Sequence, residues 1–374
     1  MLRAVEAAAH VTTQDPSGRP QVVGASVLPN VRASNLGDAP VTDTPLAVDP
    51  LDGQRLLAGG EDGNCPNLLG FYASLDVGTT WPVQHCMPAL PGTVGFGDPA
   101  VAFGPDGAMY VFGVEAATSL VDGVIAFQKS TDGGTTWSPV APAVTALFDG
   151  GFTDKPWAEA AEAGPFAGCV FVSVTQFDGS FTNTVITVSR SCDGGATWSA
   201  PNPVHAVRLV PDTCFCAFYG NVPGTQEPAS ETPAIGADPA TGALFVVDYS
   251  DTAGFMQTRV ARSVDGGESW GRPVVVNPGS ERDQFMPWLS VGDGGAIGVS
   301  YLLRSGSTYR ETAAVSVDGG GSFRGNRPIA TTSSAFVGPI GAYTGGAWSG
   351  GILRATWPDT RTGTSQAESG GVAR

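Results

Sequence analysis

Acidic side chains recur just ahead of prolines in this sequence. Asp43, Asp154 and Glu231 each lie two residues before a proline, and Asp98 lies directly before one. Carboxyl groups in such a set suit the chemistry of sugars, because one can act as a general acid or base while a second group stabilises or attacks the anomeric carbon. The structural alternative is that each acid caps a strand end by accepting hydrogen bonds from loop amides.

A second set of polar residues lies in segments that follow later apolar stretches. It mixes carboxylates with arginines and tyrosines, which can hold the hydroxyl or carboxylate groups of a sugar. Its members are Glu61, Asp62, Glu115, Asp248, Tyr249, Asp251, Arg304, Asp359 and Arg361. Both sets need a scaffold that brings distant parts of the chain to one surface.

An internal repeat identifies that scaffold. Near-copies of Ser-x-Asp-x-Gly-x-(Thr/Ser)-(Trp/Phe) begin at Ser74, Ser130, Ser191, Ser263 and Ser316. The Asp-Gly-Gly core predicts a tight turn, since glycine adopts a positive φ without steric cost. The Asp and Ser side chains can accept hydrogen bonds from backbone amides of the turn. The final aromatic residues of the copies are expected to pack in a core: Trp81, Trp137, Trp198, Trp270 and Phe323.

A second recurring element precedes each repeat turn. It consists of a polar residue, a proline, an apolar strand, a glycine-containing turn and another strand, and its copies start at Asp43, Gly97, Asp154, Glu231, Gln284 and Val337. Each unit therefore has four antiparallel strands, and units of this kind form a β-propeller. Five full units and a shorter sixth predict an all-β, six-bladed propeller.

The domain limits follow from these units. We expect a single propeller over residues 40–365, an N-terminal segment over residues 1–39 and a short tail over residues 366–374. The sixth unit lacks a last strand, and residues 20–30 (PQVVGASVLPN) are predicted to supply it and close the ring. Closure would also remove the exposed edges of the sheets.

The repeat turns resemble the Asp-box, or bacterial neuraminidase repeat (BNR), of sialidases and their relatives, over about residues 40–365. The resemblance implies that ligands bind over the central channel, at the face where the first strand of each blade begins. It implies Tyr343 as the nucleophile, Glu231 as the group that activates it, and Asp62, or its neighbour Glu61, as the acid/base. Arg310 matches one of the three arginines that grip the carboxylate of sialic acid.

The sequence departs from that family at the other two arginines. Asp43 stands where the first is expected, and Asp248 with Tyr249 occupies the region of the second. A carboxylate at the first position would repel the carboxylate of sialic acid, which is best held by bidentate arginine.

Three functions are compatible with these residues. The first is an exo-glycosidase of sialidase-like type that acts on terminal sugars, with Arg304, Arg310, Arg361, Asp43, Asp98 and Asp154 as its sugar-binding residues. The second is a propeller that binds a glycan or a protein without turnover. The third is a polysaccharide lyase, for which Arg304 beside Tyr301 or Tyr309 would be the relevant group.

Charge and composition narrow the partners. The chain has 374 residues with 19 Lys+Arg against 35 Asp+Glu, a formal net charge of −16. Such a chain repels phosphate, so we expect no nucleic-acid binding, and no apolar run is long enough to predict membrane insertion. We expect a monomer that requires no cofactor, with Ca²⁺ as a possible structural ion at acidic glycine-rich loops such as GGEDGN.

The six cysteines permit three disulfides. Cys169 and Cys192 lie at equal distances from the centre of a predicted hairpin turn and should face each other. Cys65 and Cys86 flank the first unit and can pair, which leaves Cys214 and Cys216; free thiols are the alternative for all six. Disulfides predict an extracellular protein. No signal peptide is visible, because Glu6 and His10 interrupt the apolar start, so we expect a mature or trimmed form.

Overall fold

The computed structural model describes most of the chain. The described residues are 12–14, 20–22, 31–118, 121–210, 220–229, 231–252, 254–292, 294–337, 340–341, 343–349, 351–363 and 365–373. They divide into two compact units, Met1–Arg32 and Ala33–Arg374.

The first unit contains one small hairpin. Its antiparallel strands are β1 (Thr12–Gln14) and β2 (Pro20–Val22). The predicted closing strand begins with β2, whose pairing partner is β1, and residues 23–30 of that segment lie outside the described residues. Its closing role therefore stays a prediction.

The second unit is a six-bladed β-propeller, as the repeats predicted, and every blade is an antiparallel sheet. Blade 1 contains β3 (Val41–Thr42), β4 (Leu46–Val48), β5 (Leu56–Asp62), β6 (Leu69–Ser74) and β7 (Val83–Cys86). Blade 2 contains β8 (Thr93–Phe103), β9 (Met109–Ala117), β10 (Val124–Ser130) and β11 (Ala141–Thr145). Blade 3 contains β12 (Phe152–Ala160), β13 (Val170–Phe177), β14 (Thr184–Ser191) and β15 (Asn202–Val207).

The remaining three blades follow in chain order. Blade 4 contains β16 (Ala234–Ala237), β17 (Leu244–Asp251), β18 (Met256–Ser263) and β19 (Val274–Val275). Blade 5 contains β20 (Gln284–Gly292), β21 (Ala296–Ser305), β22 (Thr308–Ser316), β23 (Arg324–Pro328) and β24 (Ser334–Ala335). Blade 6 contains β25 (Gly345–Ser349), β26 (Ile352–Asp359) and β27 (Gln366–Ala373). No helix occurs among the described residues.

The last blade corrects one prediction. Residues 366–373, which the repeat pattern left as a tail, form β27 and pair with β26 from Asp359↔Gln366 to Ile352↔Ala373. The segment carries no repeat turn, so the sequence offered no marker for it. Pairing along its whole length satisfies the backbone groups of β26 that would otherwise form an open edge.

The hydrophobic core lies between neighbouring blades. Side chains alternate along each strand, so one blade presents an apolar face to the next. Between blades 2 and 3, for example, Phe112, Phe127, Val172 and Phe177 form one buried cluster. Trp198, from the repeat turn of blade 3, packs edge-on against Phe127 at 5.2 Å between ring centres, which supports its predicted role as a packing residue.

The repeat turns share one hydrogen-bond pattern. In blade 4 the Ser263 hydroxyl donates to Asp265 and accepts from the Gly267 amide, at 2.8 and 2.9 Å. Asp265 also accepts the Ser269 amide at 2.9 Å. The same bonds recur in the other four turns. These contacts span at most four residues, which is why the sequence could predict them.

Both predicted disulfides are present. Cys65 bonds to Cys86 and Cys169 bonds to Cys192. Cys169 and Cys192 extend the ends of β13 and β14, so the antiparallel hairpin brings them face to face. Cys214 and Cys216 lie outside the described residues. Among the described residues, no helix combines the length and apolar character that a membrane span requires.

Acid should weaken the propeller through its repeat turns. Hydrogen bonds from Ser269 lower the pKa of Asp265 to about 2, and Asp132, Asp193 and Asp318 behave alike. A carboxyl whose pKa is lowered on folding stabilises the fold above its unfolded pKa, near 3.8, and this stabilisation disappears as pH falls towards 2. We therefore expect the melting temperature to fall between pH 4 and pH 2.

The substitution Asp265→Asn should lower the melting temperature at pH 7 and flatten its change between pH 4 and pH 2. Calorimetry across that range measures both effects. Asp52→Asn, in an exposed turn outside the repeats, is the control and should leave the profile unchanged. If the melting temperature of Asp265→Asn fell as steeply as that of the wild type between pH 4 and pH 2, Asp265 would not be a source of the acid sensitivity.

Candidate active site

The six inner strands surround a central channel. A cavity of about 410 Å³ is lined by segments from all six blades. Those segments include Ala47, Val101–Phe103, Trp157–Ala160, Ile235–Ala237, Trp288–Val291 and Gly346. The strand starts that precede these segments, where the sequence placed its acids, therefore meet around one end of the channel.

Kinks in the inner strands direct polar side chains towards this end of the channel. The pairing register shifts between Gly97 and Ala100 in β8 and between Asp154 and Trp157 in β12. Asp98 and Lys155, each directly before a proline, adopt positive φ angles of 48° and 54°. Such backbone costs about 1–3 kcal/mol per residue and persists where the surroundings enforce it, often at functional sites. Bulges of this kind redirect side chains beside active sites.

Asp98 is the centre of the resulting cluster. Its Oδ1 accepts a hydrogen bond from Lys155 Nζ at 2.7 Å and another from the hydroxyl of Tyr343. Lys155 Nζ also lies 4.9 Å from the centre of the Tyr343 ring, within range of a cation–π contact. Blades 2, 3 and the start of blade 6 thus contribute one residue each to a single network.

Lys155 is the cation of this cluster. Burial alone would lower the pKa of its ammonium group, but the carboxylates of Asp98 and Asp154 outweigh burial and raise it. Lys155 is therefore charged at any physiological pH. Asp154 is buried beside it, and its pKa is raised by burial and by the charge of Asp98.

Asp43 and Glu61 form a carboxyl pair next to Asp98. Their carboxyl groups interact, and the pKa of each is raised, first by burial and then by the neighbouring carboxylates. Because like charges oppose the ionisation of both groups, such a pair is suited to hold a proton and to act as an acid. Gly97 makes room for this pair, because a Cβ atom there would lie 2.6 Å from Glu61 Oε2.

A larger cavity of about 770 Å³ opens beside the cluster. Asp43 and Tyr343 line it together with Trp157 and Trp288, whose rings meet edge-on with 4.3 Å between centres. Trp288 is held by a hydrogen bond from its indole nitrogen to the Gly346 carbonyl at 2.9 Å. Half-buried indoles beside carboxyl groups are a surface suited to the apolar face and the hydroxyls of a sugar.

Glu231 lies in a different network. It is fully buried in blade 4, where it accepts the Tyr249 amide at 3.2 Å, and burial with the charge of Asp248 raises its pKa well above the ordinary value. Asp248 is bound in turn by Arg259 at 2.9 Å and by His205. The structure therefore gives Tyr343 a different partner, Asp98, from the Glu231 that the family resemblance implied.

Asp62 is also engaged in holding the fold. It is fully buried and accepts the Tyr72 hydroxyl at 2.6 Å and the Asn64 amide at 2.8 Å. The side-chain amide of Asn64 donates to it as well, at 2.6 Å. Asp62 thus shapes the loop after β5, and its neighbour Glu61, near the end of β5, is the residue that reaches the cluster. No group of three His, Cys, Asp or Glu side chains in the described part of the chain is arranged to hold a metal ion.

The three predicted arginines make local contacts elsewhere. Arg304 binds Asp283 at 3.0 Å, and Arg361 binds both oxygens of Asp359 at 2.8 and 2.7 Å. Arg310 is exposed and donates to Ser333 at 2.7 Å. None of them contacts the Asp98 cluster among the described residues, because each satisfies a nearby acceptor instead.

The tyrosines of the lyase hypothesis are likewise occupied. Tyr301 is fully buried and hydrogen-bonded to Asn326 at 2.8 Å, and Tyr309 is buried and donates to the Pro358 carbonyl at 3.2 Å. Neither hydroxyl is exposed to a substrate.

Sequence reasoning missed Lys155 as the central cation, although its place directly before a proline in a strand start was the available signal.

Solved structures share this fold. A Hadza microbial sialidase, Hz136, matches with a TM-score of 0.56 and 14% identity, covering 88% of this chain and 65% of the sialidase. An α-L-arabinanase of Penicillium chrysogenum, solved with arabinobiose, has a TM-score of 0.56 and 16% identity, covering 91% and 96% of the two chains. The α-L-arabinofuranosidase Arb93A of Fusarium graminearum, solved with an iminosugar inhibitor, has a TM-score of 0.55 and 14% identity, covering 91% and 95%.

These likenesses define a class of fold, the sialidase-like six-bladed propeller. This chain spans 65% of the length of the sialidase but nearly all of the arabinanase. At such identities the likeness concerns the fold alone. No protein-family model and no curated protein matches the sequence.

Removing the cation should destabilise the site in a pH-dependent way. Lys155→Met leaves buried carboxylates without a partner, which costs about 3–5 kcal/mol. The carboxyl pKa values then rise further, and a raised folded pKa favours the fold at low pH and disfavours it as pH increases. We expect a large loss of melting temperature at pH 8 and a much smaller one at pH 5.

The second lysine of the chain is the control. Lys129 lies 5.2 Å from the ring centre of Tyr110, away from the cluster, so Lys129→Met should change stability little at either pH. Equal losses at pH 5 and pH 8 in Lys155→Met would show that Lys155 contributes by packing rather than by charge.

Proposed function

We propose that this protein is a carbohydrate-active enzyme, a glycoside hydrolase that uses Tyr343 and Asp98 at the end of the propeller channel. The observation that carries the proposal is the hydrogen bond from the Tyr343 hydroxyl to an Asp98 oxygen that Lys155 also binds. A nucleophile beside a base that is oriented by a third group is the arrangement of an activated nucleophile.

The proposed reaction has two steps. Tyr343 attacks the anomeric carbon and passes its proton to Asp98, while the proton shared by Asp43 and Glu61 moves to the departing glycosidic oxygen. Water then attacks the glycosyl-tyrosine, gives a proton to the Asp43–Glu61 pair, and Asp98 returns the proton to Tyr343. Burial and nearby carboxylates raise the pKa of Tyr343, so its hydroxyl is neutral at rest and needs this base.

The charge of the cluster favours a neutral sugar at the reacting position. Its carboxyl groups are Asp43, Glu61, Asp98 and Asp154, and Lys155 is the cation they surround. Without an arginine in contact, a carboxylate on the reacting sugar would meet like charge. The sialidase-type fold supports a glycosidase. The likeness to an arabinanase and an arabinofuranosidase supports a neutral sugar as its substrate.

The two disulfides support an extracellular site of action. Such bonds persist in oxidising compartments, where glycans of cell surfaces and of the surroundings are the available substrates. The proposal needs no partner protein and no metal ion in any step.

A second candidate is glycan binding without turnover. The half-buried Trp157 and Trp288 that line the large cavity favour it, because indole rings provide a sugar-binding surface without any reacting group. In that case Tyr343 and Asp98 would serve only to order the channel end.

Turnover separates the two candidates. With a panel of neutral and acidic 4-methylumbelliferyl glycosides, we expect release from a neutral sugar and none from the sialoside. Tyr343→Phe and Asp98→Asn should each lower kcat by about 100-fold or more, since each removes the nucleophile or its base. Glu231→Gln is the control and should retain most of the activity.

The opposite pattern has a clear meaning. Loss of turnover in Glu231→Gln with retention in Asp98→Asn would restore the Glu231 assignment that the family resemblance implied. Sugar binding by calorimetry with no turnover across the panel would favour the binding protein.

The pH profile tests the acid pair. Asp43 and Glu61 must share a proton for leaving-group protonation, so kcat/KM should fall as pH rises through their raised pKa. Asp43→Asn removes the charge that, after burial, most raises the pKa of Glu61, so this pKa should fall and the basic limb should move to lower pH. Asp62→Asn, at the adjacent carboxyl outside the pair, should leave the limb where it is. An unmoved basic limb in Asp43→Asn excludes the pair as the acid.

A further inference from the structure

The large cavity continues away from the reacting groups. It starts at Asp43 and Tyr343 and extends along blade 6, where Arg354, Thr356, Gln366 and Ser369 line it. Its volume of about 770 Å³ lies within the usual range of about 300–1,000 Å³ for small-molecule sites. One terminal sugar at Tyr343 would leave the blade 6 part of this space open to the rest of a glycan.

Arg354 faces this space because of the strand alternation in β26. Leu353, Ala355 and Trp357 are buried in the core against blade 5, whereas Arg354 and Thr356 are exposed on the opposite side. The strand partners of Arg354 are Ala347 and Gly371, so both of its directly paired neighbours in the adjacent strands are small.

The two ends of the cavity carry opposite charge. Among the described lining residues, Asp43 is the acidic one and Arg354 the basic one. Arg304, Arg361 and Arg259 are each bound to an aspartate, but Arg354 forms no ion pair with any described residue. An arginine with its fork of donors open to a cavity is suited to a carboxylate or a sulfate, which it can bind in a bidentate manner.

We propose that blade 6 forms a subsite for the second sugar of the substrate, and that Arg354 selects a sugar with an anionic group at this position. The substrate class is then a neutral terminal sugar linked to an acidic one, either a uronate or a sulfate ester. Thr356, Gln366 and Ser369 supply hydroxyl and amide groups for the sugar hydroxyls. The subsite extends the proposed function, but its binding step is independent of the chemistry at Tyr343.

Binding measurements test the subsite without turnover. The probes are three trisaccharides that share a neutral terminal galactose and differ at the second sugar, which is a galacturonate, the neutral methyl ester of that galacturonate or a sulfated galactose, measured by calorimetry on the full chain. The wild type should bind at least one anionic trisaccharide about tenfold or more tightly than the neutral ester, because a charge-assisted pair contributes that much. A preference for the uronate or for the sulfated probe identifies the source of the anionic group.

Arg354→Gln should abolish this preference and leave the affinity for the neutral ester unchanged. Arg327→Gln, at an exposed arginine on β23 of blade 5, is the matched control and should keep the preference. Tyr343→Phe should also keep it, so a failure of the proposed chemistry would leave this result intact. The subsite is overturned if neither anionic probe binds better than the ester, or if Arg354→Gln keeps the difference.

Discussion

The contact on which the candidate site depends is the ion pair between Lys155 and Asp98. Four carboxyl groups from blades 1, 2 and 3 converge on one end of the channel, and without a cation their repulsion and desolvation would oppose folding there. Lys155 offsets most of that cost. The repulsion and desolvation that it does not offset raise the pKa values of the carboxyl groups. The same pair orients the Asp98 oxygen towards Tyr343. The stability of this end of the propeller and the reactivity proposed for it therefore have one electrostatic origin.

The strained inner strands connect the scaffold to this chemistry. A proline cannot donate to a strand ladder, and the residues before Pro99 and Pro156 take positive φ angles at register shifts. In regular strands, Asp98 and Lys155 would follow the normal alternation of side chains. The bulges turn them to the channel end instead, and the buried blade cores, such as that around Phe112 and Val172, hold the backbone in this form.

The charge distribution distinguishes this site from the family that its repeats resemble. The three arginines that the resemblance or the loops suggested are bound to Asp283, Asp359 and Ser333 at their own strand ends. The centre of the site is acidic, and the guanidinium of Arg354, which has no ion pair within the described part of the chain, lies further out, in blade 6. For the proposed substrate, this charge distribution favours a neutral sugar at the reacting position and an anionic group further out. A site that binds a carboxylate on the reacting ring would need the opposite distribution.

The amino-acid sequence by itself determined the blades, the repeat turns and the Cys169–Cys192 disulfide, and it allowed the Cys65–Cys86 disulfide with free thiols as the alternative. These features depend on contacts within four residues, as between Ser263 and Gly267, or on a single hairpin, as between Cys169 and Cys192. Only the tertiary structure decided that Tyr343 meets Asp98, 245 residues away, that Glu231 and Asp62 are buried in other networks, and that β27 completes blade 6. Such pairings depend on how blades pack around the channel and on where a bulge turns a side chain, and no local pattern of residues encodes either.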